Sequence, residues 1–368
     1  MVSLVRRRPP LDVALVVPRS GPAGIFGPSC EACGTLAADE LNDAGGVLGR
    51  EVRLRLVDGG QRPSLVAAQV GALLDAGDVQ AVTGWHISAV RQEVAPVVAG
   101  RAPYVYTPLY EGGERTPGLF LTGETPDRQV LPALHWLVRE LGVRRWCIVG
   151  DDYVWPRASA RTTRAYVRSA PDVEIVDEMY VPLGTEDFAP VLDRVDRSGA
   201  TGVLMFLVGA DAVRFNRAFA ATGLDAHCVR LSPLMEENML LGTGPEGTAG
   251  LYAAAGFFEA LPSAAGLDFS RRYAARFGVA APMLNAPGES CYEGLVLLAR
   301  LAAAAGELST PALEAAGRSL VYESPRGWWR WRTTICCRVS TSLGPTASIS
   351  TFSPGWPTHR LDRQLLLE

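Results

Sequence analysis

Tyr106 and Tyr110 stand four residues apart in the run Tyr106-Thr107-Pro108-Leu109-Tyr110-Glu111-Gly112-Gly113, directly after the apolar segment 102–105. An aromatic face stacks on a planar polar group, and each phenol makes one further hydrogen bond. Such a run at the end of a strand is therefore equipped to hold a small planar molecule rather than to transform it. The bland alternative is a surface turn with two partly buried tyrosines. Three other stretches repeat the pattern of an apolar run ending in aromatic or hydroxyl groups: Gly84-Trp85-His86-Ile87-Ser88, Gly150-Asp151-Asp152-Tyr153-Val154-Trp155-Pro156, and Phe206-Leu207-Val208-Gly209. A fifth segment, Leu231-Ser232-Pro233-Leu234, adds a hydroxyl at a strand end. Together they read as one aromatic-lined cleft.

Each residue carries a weaker reading beside the stronger one. Ser88 opens a helix, where its hydroxyl and the free backbone N–H groups can receive a carbonyl or carboxylate oxygen; it can equally be an N-cap. Trp85, Tyr106, Pro108, Tyr110, Tyr153 and Trp155 line a pocket or pack a core. His86 is a lone histidine, more often a satisfied hydrogen-bonding residue than a ligand group. Val208 and Gly209 offer only backbone groups, as any residue does. No G-x-S-x-G, H-E-x-x-H or phosphate-loop pattern is present, and no carboxylate pair is singled out, so an enzyme such as an α/β amide hydrolase is the second hypothesis. The four histidines are scattered, no cofactor is expected, and Cys30 with Cys33 lacks the second pair or histidine cluster that a metal site needs.

These strand ends need a frame. At 368 residues the chain exceeds the usual single core, which favours two domains. Buried strands at 11–17, 52–57 and 79–83 alternate with helices at 33–43, 64–76 and 89–98, and the same alternation resumes from 130 to 231. Alternation of this kind makes parallel, doubly wound sheets with all carboxyl ends on one edge, where ligands bind. The fold class is thus α/β: two doubly wound parallel-sheet lobes joined by a three-crossing hinge. Residues 1–127 with 256–306 are expected in the first lobe, and 128–255 with 307–327 in the second. The run 250–258 reads as a strand returning to the first lobe, and 306–310 as the third crossing.

The string Tyr-x-x-x-Tyr-Glu-Gly from Tyr106, and Asp-Tyr-x-aromatic-Pro-Arg from Asp152, resemble the amide- and urea-binding branch of the type I periplasmic binding proteins over about residues 11–327. The resemblance implies hinge closure on a small amide, urea or amino-acid-like ligand, with Ser88, Tyr106 and Tyr153 as contacts. Trp155 falls where the family has another aromatic residue, and is expected at the pocket rim. Tyr110 falls at the loop's second tyrosine position. His86 replaces a tyrosine, and Leu234 replaces a threonine, which points to a more apolar end of the pocket. The branch includes cytoplasmic amide sensors partnered by an RNA-binding antiterminator, and transport receptors read by an ABC permease.

Composition sets the remaining expectations. A net charge of −4 gives no reason to expect nucleic acid, no apolar run is long enough for membrane insertion, and homo-oligomerisation is left open. The first apolar run holds Asp12 and ends in Pro18 without a small-residue cleavage site, so no signal peptide is read and a cytoplasmic sensor is expected, with the periplasm as the alternative if the start was engineered. From Trp328 to residue 368 the composition turns basic, tryptophan-rich and unlike the family. Tryptophan has one codon, TGG, and moving the frame back one base makes Trp329 a valine, lets Thr334-Ile335 become Asn-His and lets Cys336-Cys337 become leucines. The tail is therefore read as a frameshift product, expected to pack poorly and leave sheet edges unpaired.

Overall fold

The computed structural model describes residues 8–170, 172–260, 263–332, 335–338, 348–351 and 359–360, with side chains to 329. In chain order the first part runs β1 Leu11–Val17, α1 Gly27–Asp43, β2 Val52–Asp58, α2 Pro63–Asp75, β3 Ala81–Gly84, α3 Ser88–Val98, β4 Tyr104–Tyr106 and β5 Leu119–Leu121. The second part runs α4 Val130–Leu141, β6 Arg145–Asp151, α5 Val154–Val167, β7 Glu174–Val181, α6 Ala189–Ser198, β8 Gly202–Phe206, α7 Ala210–Ala221, β9 Val229–Ser232, α8 Glu237–Thr243 and β10 Leu251–Ala255. Then follow α9 Ala264–Phe277, α10 Ala286–Ala305, α11 Thr310–Gly317, and strands β11 Val321–Ser324, β12 Gly327–Arg332, β13 Ile335–Arg338, β14 Ser348–Thr351 and β15 His359–Arg360.

Each lobe is built on five parallel strands, in the order β5-β4-β3-β1-β2 in the first and β10-β9-β8-β6-β7 in the second. The central strands carry unbroken apolar runs because helices cover both faces of a parallel sheet. β1 is buried along almost its whole length, whereas edge strand β2 alternates with the exposed Arg53 and Arg55. Tight crossings are allowed where glycine removes a clash. A Cβ on Gly84, at φ +133, would lie 2.2 Å from the Val16 carbonyl oxygen, so β3 turns into the following loop directly against β1.

Three expectations about the later chain are corrected. β10 is parallel to β9 and belongs to the second sheet, so the return to the first lobe comes after Ala255. There is no crossing at 306–310: α11 lies against α10 with Leu313 buried, and β11 pairs antiparallel with β12 in the first sheet. A first-lobe sheet ending at β5 leaves an open edge, and β13 fills it by pairing there. The chain next appears in the second sheet at β14, antiparallel to β10. The unpaired edges expected after Trp328 are therefore not found along β12 and β13. Trp329 is buried, donates from Nε1 to the Ser324 hydroxyl at 2.7 Å, and lies under the Arg326 guanidinium. The rest of the suspected tail, 339–347, 352–358 and 361–368, lies outside the described residues.

Candidate functional site

The first-lobe wall starts where β3 and β4 end side by side, pairing Gly84 with Tyr106. This register puts His86 and Ser88 beside Tyr106, whose hydroxyl donates to the His86 carbonyl at 3.0 Å and lies 3.4 Å from the Ser88 hydroxyl. Ser88 is the first residue of α3 and does not cap it, since no side-chain cap bond is made there. His86 is fully buried between the Val16 carbonyl, 3.1 Å from Nδ1, and the Tyr104 hydroxyl at Nε2. A carbonyl only accepts, so Nδ1 carries the proton and Nε2 accepts from Tyr104. Burial, opposed by the Val16 bond and reinforced by the charge of Arg91, lowers the imidazole to about 4. His86 thus braces the strand ends as a neutral ring and offers a ligand nothing.

That arrangement has a consequence for stability. The unfolded histidine takes a proton near pH 6.5 while the folded one stays neutral to about 4. Between those values the unfolded state binds more protons, so stability falls as pH falls, by up to about 1.4 kcal/mol per pH unit from this group. Urea melts of the wild type and of His86→Gln at pH 7 and pH 5 are expected to show a smaller pH loss in the variant; equal losses would remove His86 as the cause.

Behind the wall lies Arg91, one turn after Ser88 on α3. Its side chain is 3% exposed, hydrogen-bonded through Nη2 to Glu111 at 2.5 Å and ion-paired from Nε with Glu114 at 3.1 Å. The guanidinium sits 5.1 Å from the centre of the Tyr106 ring and 5.4 Å from that of Tyr110. Tyr110 is buried against it, and its hydroxyl has no hydrogen-bond partner. Loop 106–114 is thus stapled to α3, with Tyr110 bracing it. Trp85 packs edge-on against Phe26, with ring centres 4.8 Å apart.

The second-lobe wall faces it from the ends of β6 and β8. Tyr153 is partly buried beside Trp155, at 6.2 Å between ring centres. Burial raises its phenol, and the charges of Asp151, Tyr106 and Glu111 add to the rise; α5, which Tyr153 opens, lies against α3 of the first lobe. Trp155 is not at a rim: it is buried, edge-on to Phe206 at 5.5 Å, because the lobes meet in one apolar cluster that includes Val17, Phe26, Trp85, Trp155 and Leu234. The Val208 N–H donates to Asp151 Oδ2 at 2.7 Å, and the Val208 carbonyl accepts from Asp211 N at 3.0 Å, so its backbone is engaged within the lobe. Ser232 is buried, its hydroxyl accepting from Leu234 N at 3.3 Å.

Toward the hinge, Trp85 and Pro108 line a cavity of about 30 Å³ together with Thr107, Gln129, Leu234, Glu236, Ser290 and Arg326. Several of these were not anticipated. Gln129 donates from Nε2 to the carbonyls of Pro233 and Ala254, both at 2.7 Å. Arg326 reaches the Thr122 carbonyl at 3.1 Å, Glu124 at 2.9 Å and Glu289 at 3.2 Å, and also pairs with Glu293. Burial raises Glu236 to about 8, against two backbone N–H bonds that lower it. Among the described residues no group of three or more histidine, cysteine or acidic side chains could hold a metal, and no single helix is long and apolar enough to cross a membrane.

Comparison with known proteins agrees with this geometry. The chain is similar to a Leu/Ile/Val-binding protein, BraC3, of Rhizobium johnstonii, 24% identical over 189 residues that make up 50% of this chain and 51% of that protein. The matches span about half to two thirds of the length of the first curated relatives. Among solved structures, a solute-binding protein of an ABC transporter from Rhodopseudomonas palustris in complex with p-hydroxybenzoic acid superposes with TM-score 0.79 at 21% identity, covering 90% of this chain and 91% of that one. The branched-chain amino acid transporter binding protein LivJ from Streptococcus pneumoniae, in complex with isoleucine, gives 0.80 at 16% identity over 96% and 99%. The α/β fold of two parallel-sheet lobes is thereby shown, and the relatives are binding proteins rather than enzymes. The cytoplasmic placement is corrected, because these relatives are transporter binding proteins and the family itself is periplasmic. Residues 10–335 match the family described as periplasmic binding protein, and the chain belongs to that family.

Proposed function

We propose that the protein is the solute-binding component of an ABC transporter, closing its two lobes on a small molecule with a polar head and an apolar or aromatic body. The observation that carries this reading is that Ser88 at the start of α3 and Tyr106 lie together on one lobe, while α5, which Tyr153 opens, lies against α3 from the other. A carboxylate or carbonyl fits the free N–H groups of the helix start, and the tyrosines bound its plane. Isoleucine and p-hydroxybenzoic acid, which structural neighbours hold, are molecules of this kind. An amide or urea ligand and a sensor role have no comparable support; short amides and ureas enter as arms of the test.

A melting-temperature screen with branched-chain amino acids, hydroxybenzoates, short amides and ureas is expected to return a shift with one of the first two classes and no product. A permease then reads the closed form, which the ligand favours by its differential affinity. Ser88→Leu should abolish binding by the molecule found while leaving a cooperative unfolding transition, and Ser88→Gly should cost less because the backbone donors survive. Normal titration of the leucine variant would move the site elsewhere.

A further inference from the structure

Two carboxyl groups that the binding surface does not use lie buried where the lobes meet. Asp151 ends β6, and Asp211 stands in the first turn of α7; both are fully buried. Asp151 Oδ2 accepts the Val208 N–H at 2.7 Å, and Asp211 Oδ2 accepts the Gly184 N–H at 2.6 Å. Asp211 Oδ1 also takes Arg214, which in turn donates to the Thr185 carbonyl at 2.8 Å. Asp151 Oδ1 has no donor at all. The loops so fixed, 182–185 and 207–209, receive the first lobe. A Cβ on Gly209, at φ +51, would meet the Pro22 carbonyl oxygen at 2.1 Å, and one on Gly184 would touch the Pro22 ring at 3.8 Å.

The sequence shows Asp151 only as one of two adjacent acids, but the structure separates them. Asp152 is exposed and paired with Arg157, whereas Asp151 and Asp211 meet at Val208, whose N–H donates to Asp151 and whose carbonyl accepts the Asp211 N–H, with Arg214 paired to Asp211 alone. Arg214 is itself about one third exposed. Tyr153 adjoins the pair, and the first-lobe turn Pro22–Phe26 brings no titratable group. Two like charges this deeply buried are not both stable, so one proton remains. Burial, and next the charge of Asp211, push Asp151 well above the carboxylate range; burial raises Asp211 too, opposed by its bonds to Gly184, Asp151 and Arg214.

We propose that Asp151 is a positioning residue that works as a neutral acid, its Oδ1 hydroxyl donating to Asp211 and so holding in place the two second-lobe loops that receive the first lobe on closure. This rests on the reading that a ligand closes the lobes. Opening would let water reach the pair and ease its second ionisation, so closure retains a proton and high pH favours the open form.

The test pairs a ligand-free arm with a binding arm, comparing wild type with Asp151→Asn, whose amide can donate as the acid does but does not titrate. Without ligand, the melting temperature of the wild type relative to the variant should fall as pH rises from 5 to 9, because the folded pair keeps a proton that the unfolded chain has released. The comparison cancels the effect of His86. With L-leucine and 4-hydroxybenzoate as probes in titration calorimetry, the wild-type affinity should drop by about tenfold between pH 6 and pH 9, and that of the variant by less than about twofold. A wild type and variant with parallel pH dependence in the ligand-free melts would overturn the shared proton. If neither probe binds, the functional reading fails while the melts still decide the pair. Parallel affinity profiles beside divergent melts would leave the proton in place and overturn its role in closure. Asp211→Asn provides the second variant if Asp151→Asn does not fold.

Discussion

Arg91→Ala is expected to lower folding stability by about 3–5 kcal/mol, the range found when one partner of a buried ion pair is removed. The size follows from what would be left behind. Glu111 and Glu114 have side chains 8% and 14% exposed and both pair with this one guanidinium, Glu114 also accepting from Arg115 N, Thr116 N and the Thr116 hydroxyl. The arginine also covers the faces of Tyr106 and Tyr110 and reaches toward the Ser88 hydroxyl at 3.5 Å. Its loss would leave the Glu111 carboxylate buried without its cation, near a tyrosine hydroxyl that already lacks a partner. Loop 106–114 would detach from α3, so ligand affinity should fall as well. Urea denaturation of the free protein measures the first effect, and a loss below about 1 kcal/mol would show that the carboxylates find water instead.

Tyr153→Ala should weaken ligand binding by about 2 kcal/mol or more, roughly a thirtyfold rise in Kd. Tyr153 precedes α5, the second-lobe helix that lies against α3, and its neighbour Trp155 is spent on packing against Phe206. Because Tyr153 is only partly buried, the unfolding free energy of the free protein should change less than the binding energy. Titration calorimetry alongside urea melts separates the two, and equal affinity for wild type and variant would remove the clamp.

Much of this was readable from residue order. Apolar runs of β1, β3, β6 and β8 separated by helical stretches dictate parallel sheets, and parallel sheets bring Ser88, Tyr106 and Tyr153 to facing edges. What was not readable depends on partners distant in the chain. His86 looks like a candidate contact until Val16 and Tyr104 are seen to satisfy both nitrogens. Arg91 follows Ser88 by one helical turn, yet its two acids come from a loop some twenty residues away. Arg326 gathers carboxylates from the first crossing and from α10, and nothing in its local string announces them. The placement of β11 failed for a different reason. Strand propensity says that a segment extends, but β11 joins the first sheet only through β12 and β13, and it is β13 that takes the edge β5 leaves free.

One small molecule is expected to be held by both lobes at once. A crystal structure of the protein with the compound giving the largest melting-temperature shift tests it most directly. The polar head of that compound should lie at the start of α3 within hydrogen-bond distance of Ser88, with its body between Tyr106 and Tyr153. Density for the compound against one lobe alone, or in a position that leaves both tyrosines untouched, would contradict it.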